Sequence, residues 1–154
     1  MDLIFKHAWL LFIGVMCVNG AVWWTRAQRE IAADPTLEPG YRMLIRGWLV
    51  YGNLPWLVMG AGVLIGEVPS PLHYFNPRNG IFVALFYVSV VAVWVALAYW
   101  IFLRQGAEML VRHPGLLQLP VQQPWAVKAL VVLSLAGGII GLGMMVFGDM
   151  PVPR

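Results

Sequence analysis

Only one cysteine, Cys17, occurs in the 154 residues, and it lies inside an apolar run. An intramolecular disulfide, a Cys-pair redox centre and a cysteine zinc site are thereby excluded, and with them the four-helix quinone-linked thiol oxidases. Charge is also scarce: Asp, Glu, Lys and Arg make up 11% of the chain, against about 25% in soluble domains. No soluble surface can be built from so few charges. What there is in abundance is apolar: 60% of the residues are hydrophobic and 13% aromatic, which excludes a disordered chain as firmly. The mean hydropathy of +0.75 describes a membrane protein.

Four apolar stretches approach the ~20 residues that a helix needs to cross a bilayer. They cover residues 5–24, 44–66, 81–102 and 125–147. Strand alternation is absent, and an unpaired backbone is not tolerated in hydrocarbon, so the expected fold is all-α: a polytopic integral membrane protein, a four-transmembrane-helix bundle in one domain. Trp9, Trp23, Trp24, Trp48, Trp100 and Trp125 stand near the span ends, where indole rings prefer the interface. The third helix is expected to outlast the bilayer as a cytoplasmic extension, 81–112 in all. Residues 104–112 are good helix formers, Glu108 and Arg112 are spaced to meet on one face, and His113-Pro114-Gly115 supplies the stop. The segment 116–124 is expected to lie on the interface.

The first span lacks a small-x-small cleavage site and is read as retained. Arg26, Arg29, Arg42, Arg46, Arg104, Arg112 and Lys128 then fall on one side, and Lys6, Arg78 and Arg154 on the other. The positive-inside rule places both termini outside the cytoplasm, which for a bacterial chain means the inner membrane with periplasmic ends. Arg26, Glu30 and Pro35 in the first cytoplasmic loop are echoed by Arg104, Glu108 and Pro114 in the second, the pattern that a parallel repeat would leave.

Polar residues inside the spans point to function. No Asp or Glu lies within a span core, as proton-coupled transport would require, and no histidine sits mid-span to hold haem. Asn19 lies seven residues from Arg26, and Asn53 seven from Arg46 in the same sense, so the two amides are expected at one depth, hydrogen-bonded between helices one and two. Arg42, Arg46, Asn53 and Asn19 form the candidate ligand-binding set, for a carboxylate or lipid headgroup, since Arg forks suit such anions. Two cations in the first turn would oppose the helix dipole, a conflict that Glu38 relieves. Pro55 is expected to kink helix two. Ser134, Gly137, Gly141 and Gly148 make a small-residue seam on helix four, for packing within the bundle or against another subunit.

His7, His73, Met144, Met145 and Met150 offer copper-type donors on the outer side, but no pair has ligand spacing, so no metal is assigned. No phosphate loop, serine nucleophile motif or paired carboxylates appear, no cofactor is assigned, and no basic run or zinc-finger spacing supports nucleic-acid binding.

Arg42, Arg46 and Asn53-Leu54-Pro55 at the start of helix two resemble the pattern with which the membrane-associated eicosanoid and glutathione metabolism superfamily binds glutathione. That resemblance implies a four-helix trimer with an outside N-terminus. Gly52 stands where the family has an acid before the Asn. The function expected from the residues themselves is non-catalytic: an accessory or assembly subunit whose partners are the lipid bilayer and another membrane protein or further copies of the chain. The alternatives are a glutathione- or lipid-binding membrane enzyme using the arginine set, and a small permease or copper-handling protein.

Overall fold

The computed structural model describes residues 6–116 and 122–147; the residues between, at 117–121, and the two ends lie outside the described set. Among the described residues the chain is all helical. Helix α1 spans Ala8–Ala33, α2 Glu38–Ile65, α3 Ile81–Leu103, the short α4 Gly106–Arg112, and α5 Pro124–Phe147. α1, α2, α3 and α5 are each long and apolar enough to cross a membrane. Short 3-10 turns at Pro35–Leu37 and Pro71–Phe75 precede α2 and α3.

Three boundaries differ from the sequence expectation, each for a physical reason. α1 runs to Ala33 rather than ending at Trp24. Hydropathy marks where a helix leaves the membrane, not where it stops, and residues 25–33 contain no Gly or Pro to stop it. At 26 residues α1 is about 39 Å long, beyond a ~30 Å hydrocarbon core. α2 correspondingly begins at Glu38, six residues before Leu44. Asp34 organises the turn between them: its Oδ1 accepts from Thr36 Oγ1 at 2.6 Å and from Thr36 N at 3.0 Å, which holds the carboxyl below the usual carboxylate range.

The third correction is the break in the expected 81–112 helix. Gln105 adopts φ 56°, ψ 27°, the only described non-glycine with positive φ, and α4 turns back from it. Local propensity favours continuation, but a straight helix would carry Ala107, Leu110 and Val111 into water. Folded back, Ala107 is fully buried with Ile101 and Val127, and Leu110 and Val111 pack on them. Gly106 permits the turn, because a Cβ there would stand 2.6 Å from the Trp100 ring. The echoed loops therefore differ in structure: Arg26 and Glu30 share one helix, whereas Arg104 and Glu108 lie on either side of the break.

The long helices lie side by side rather than in a closed ring. α1 packs along α2 and α2 along α3, while α5 rests mainly on α4 and touches α3. Along the α1–α2 seam, large side chains lie on glycines. A Cβ at Gly60 would stand 2.7 Å from the Trp9 ring, and one at Gly20 2.9 Å from Leu49, while Met16 covers Gly52 at 3.5 Å. Phe12 stacks on Trp56 at 4.0 Å between centroids. Trp9, Ile13, Met16, Gly20, Trp23 and Ala27 recur at alternating spacings of four and three, the period of a left-handed helix pair. Small residues let the backbones approach, and the rings fill the space beside them.

Away from these seams the apolar surface is bare. Leu11, Val18, Val50, Leu64, Leu133 and Ile140 are each 63% exposed or more, a surface suited to a lipid phase rather than to water. The buried residues gather at the helix ends instead. Met59, Val63, Val68, Tyr74 and Val83 form a cluster at one end, and Ala27, Tyr41, Leu44, Ile45 and Leu116 form another at the Arg-rich end.

Candidate functional site

The arginine set stands on the exposed flank of α2. Arg42 Nε and Nη2 both meet Glu38 Oε1, at 2.8 and 2.6 Å, and its guanidinium lies 5.5 Å from the Trp24 ring centroid. Because α2 begins at Glu38, that acid occupies the first turn and Arg42 the second, so the conflict with the helix dipole is relieved by an i,i+4 pair. Arg46, one turn further, is exposed and has no ion pair among the described residues.

Asn53 is buried at 7% exposure. Its Nδ2 donates to the Leu49 carbonyl at 2.7 Å, one turn back in its own helix, and its Oδ1 has no partner among the described residues. No hydrogen bond joins it to Asn19, contrary to the sequence expectation. The reason is register and face together. Met16 opposite Gly52, and Gly20 opposite Leu49, put Asn53 level with residues 15–16, so Asn19 is displaced by about 5 Å, one helical turn. The stripes also diverge. Asn19 and Arg26 share a column on α1, and Arg26 Cβ lies beside Gly115. Asn53 and Arg42 share a column on α2, and Arg42 lies over Trp24. Trp24 and Arg26 are about 160° apart around α1, so the Asn19 column turns away from the flank on which Arg42 lies, while Asn53 is buried beside the seam. The structure thus brings Arg42, Arg46 and Asn53 onto one column and leaves Asn19 off it. α2 continues through Pro55, which lacks the N–H that the Tyr51 carbonyl would otherwise receive.

A junction at the Arg-rich end was not legible in the sequence. His113, 7% exposed, lies on Gly40, where a Cβ would fall inside the imidazole. Its Nδ1 lies 2.7 Å from the Met109 carbonyl. A carbonyl only accepts, so Nδ1 carries the proton. Tyr41, fully buried, sets its ring edge-on to the imidazole at 4.8 Å and donates its hydroxyl to the Pro114 carbonyl at 2.7 Å. These contacts fasten the chain after α4 to the start of α2, across more than seventy residues.

α4 is tied to α5 by Glu108 Oε1 and Lys128 Nζ at 3.1 Å. Arg112, expected as the partner of Glu108, is not the one bonded. Hydrogen bonds from its own backbone N–H and from Lys128 hold the Glu108 carboxyl below the usual range. A depressed carboxylate contributes stability that is complete above its unfolded pKa and is lost as pH falls through the folded value. The thermal midpoint in detergent is therefore expected to fall with acidification below about pH 5, with a shallower slope in Glu108→Gln. Equal slopes would show that the pair contributes nothing.

Of the metal candidates, two are engaged locally, Met144 is exposed, and no three His, Cys, Asp or Glu gather into a metal site among the described residues. His73 Nδ1 lies 3.0 Å from Ser70 Oγ, and Met145 sulfur accepts from Tyr87 at 3.8 Å; Met150 lies outside the described residues. A groove of about 370 Å³ runs between α3 and α5, lined by Val91, Trp94, Val95, Leu135, Ile139 and Leu142. Its lining is apolar, the Trp94 indole being the one side chain there with a polar atom. Trp94 crosses to α5 at Gly138, where a Cβ would stand 2.6 Å from the indole. The expected seam on α5 does not face the other helices: nothing lies within 4 Å of a Cβ at Gly137 or Gly141, Ser134 is exposed, and Gly148 lies outside the described residues.

By class, then, the described residues form an all-helical fold with four helices of membrane-spanning length and composition. No protein-family model matches it, and comparison with curated proteins and with solved structures likewise finds no match.

Proposed function

We propose that this chain is a non-catalytic, multi-pass membrane protein that serves as an accessory or assembly subunit of a larger membrane complex. Its place in this reading is the inner membrane, with both termini periplasmic and the Arg-rich end in the cytoplasm. The observation that carries the proposal is the open face of α5, where Gly137 and Gly141, about 40° apart around the helix, meet nothing within 4 Å of a Cβ among the described residues. Small residues on a transmembrane helix earn their stability by letting a second backbone come close. Here the chain's own helices leave that face free, so the second backbone belongs to a partner.

Purification in mild detergent tests this. A larger membrane protein is expected to accompany the wild type in fixed ratio and to be lost from Gly137→Leu/Gly141→Leu, where a Cβ meets nothing within 4 Å among the described residues and whose thermal midpoint in detergent is expected to match the wild type's. Recovery of the wild type only as a homogeneous homo-oligomer contradicts the proposal.

A further inference from the structure

The flank of the α1–α2 pair that carries Arg42 and Arg46 continues toward the far end of α2 as an exposed apolar strip. Val50, Leu57 and Leu64 are 64%, 53% and 65% exposed, and at ~100° per residue they fall within about 40° of Arg46. On α1, Leu10, Cys17 and Trp24 repeat every seven residues and so share a column. Arg42 lying over Trp24 shows that this column flanks the strip on the same side of the pair. Leu10 and Cys17 are exposed as well. Two arginines and an indole therefore head a shallow apolar track between two helices.

Depth decides what such a track takes. Arg46 stands at the start of the apolar run of α2, and Leu57 is eleven residues below it, about 16 Å. One leaflet of a ~30 Å core is about 15 Å deep. The strip thus matches one acyl chain, with the cations at headgroup level beside an interfacial Trp. The charge balance decides the headgroup. Glu38 is engaged by Arg42, while Arg46 carries an uncompensated charge among the described residues, and a planar guanidinium matches phosphate oxygens. A soluble phosphate would meet only the cations, in water; a phospholipid meets the cations and the strip together.

We propose that an anionic phospholipid docks on this flank, its phosphate at Arg46 and the outer edge of Arg42 and one acyl chain along Val50 and Leu57. The site is a lateral one, open to the bilayer, and needs neither Asn19 nor the buried Asn53. It stands independently of the accessory-subunit reading, because a lipid binds here whether or not a partner covers α5.

Native mass spectrometry of the full chain in detergent, titrated with phosphatidylglycerol and with phosphatidylcholine, tests it. The wild type is expected to retain phosphatidylglycerol preferentially. Arg46→Gln should weaken that retention about fivefold, the effect of one basic residue at an anionic surface. Arg104→Gln, which removes the same charge at the same end but off the column, should leave it unchanged, and inorganic phosphate should not displace the lipid at equal concentration. Equal retention of the two lipids, an equal loss in Arg104→Gln, or displacement by phosphate alone each overturns the proposal, the last by showing an anion site without a lipid track.

Discussion

Gly40→Val is expected to destabilise the protein by about 2–4 kcal/mol and to release α4 from the start of α2. The first Cβ already falls inside the His113 ring, and the added methyls deepen the conflict. Overpacking a filled site costs about 1–3 kcal/mol. Moving His113 away also strains the Tyr41 hydroxyl bond to Pro114, worth about 1 kcal/mol. The measurement is the thermal midpoint in detergent together with the rate of trypsin cleavage after Arg112, which rises when the segment undocks. Gly47→Val is the control, since nothing lies within 4 Å of its Cβ, and it should change stability by less than about 0.5 kcal/mol. Adding His113→Ala to Gly40→Ala should recover part of the loss, because the two residues share one space. Full additivity in that cycle would show that the ring and the glycine do not meet.

Asn53→Leu is expected to act in the opposite direction and raise stability by about 1–2 kcal/mol. The buried Oδ1 has no partner, and an unpaired buried polar atom costs about 1–3 kcal/mol. Removing the amide strands nothing, because the Leu49 carbonyl still receives the backbone N–H of residue 53 in the regular helix pattern. Leucine has the same number and branching of heavy atoms as asparagine, although its methyl groups are bulkier, and it belongs in an apolar seam. Unfolding in detergent measures the change. A loss of more than about 1 kcal/mol would mean that Asn53 has a partner that the bare chain lacks.

What the sequence reveals and what it hides follows from the range of the forces involved. The four spans are legible because insertion depends on summed hydropathy over some twenty residues, a local quantity. Trp positions and the absence of acids from the span cores are local too. The break at Gln105 is hidden, since apart from Gly106 residues 104–112 have good helix propensity, and what bends them back is the burial of Ala107 against Ile101 and Val127. The same holds for His113 on Gly40, a contact across more than seventy residues with no spacing signal. The Asn19–Asn53 expectation failed on register. Equal distance from Arg26 and Arg46 assumed that those arginines mark one depth, but the seam, set by Met16 on Gly52 and Leu49 on Gly20, is shifted by a turn. Grouping Arg42 with Arg46 required only helix periodicity and was legible. The Trp24 ring beside them, and the apolar strip below, needed the packed α1–α2 pair to give them meaning.

The central claim is that four helices thread the bilayer with the Arg-rich end inside. In a Cys17→Ser background, single cysteines at Ser70→Cys and Gln105→Cys report on the two ends, probed in intact cells with a membrane-impermeant thiol reagent. The account predicts labelling at position 70 from outside, labelling at position 105 only after permeabilisation, and retention of the chain in membranes through an alkaline wash. Reversed labelling, equal labelling of both positions in intact cells, or release of the chain by the wash would contradict it.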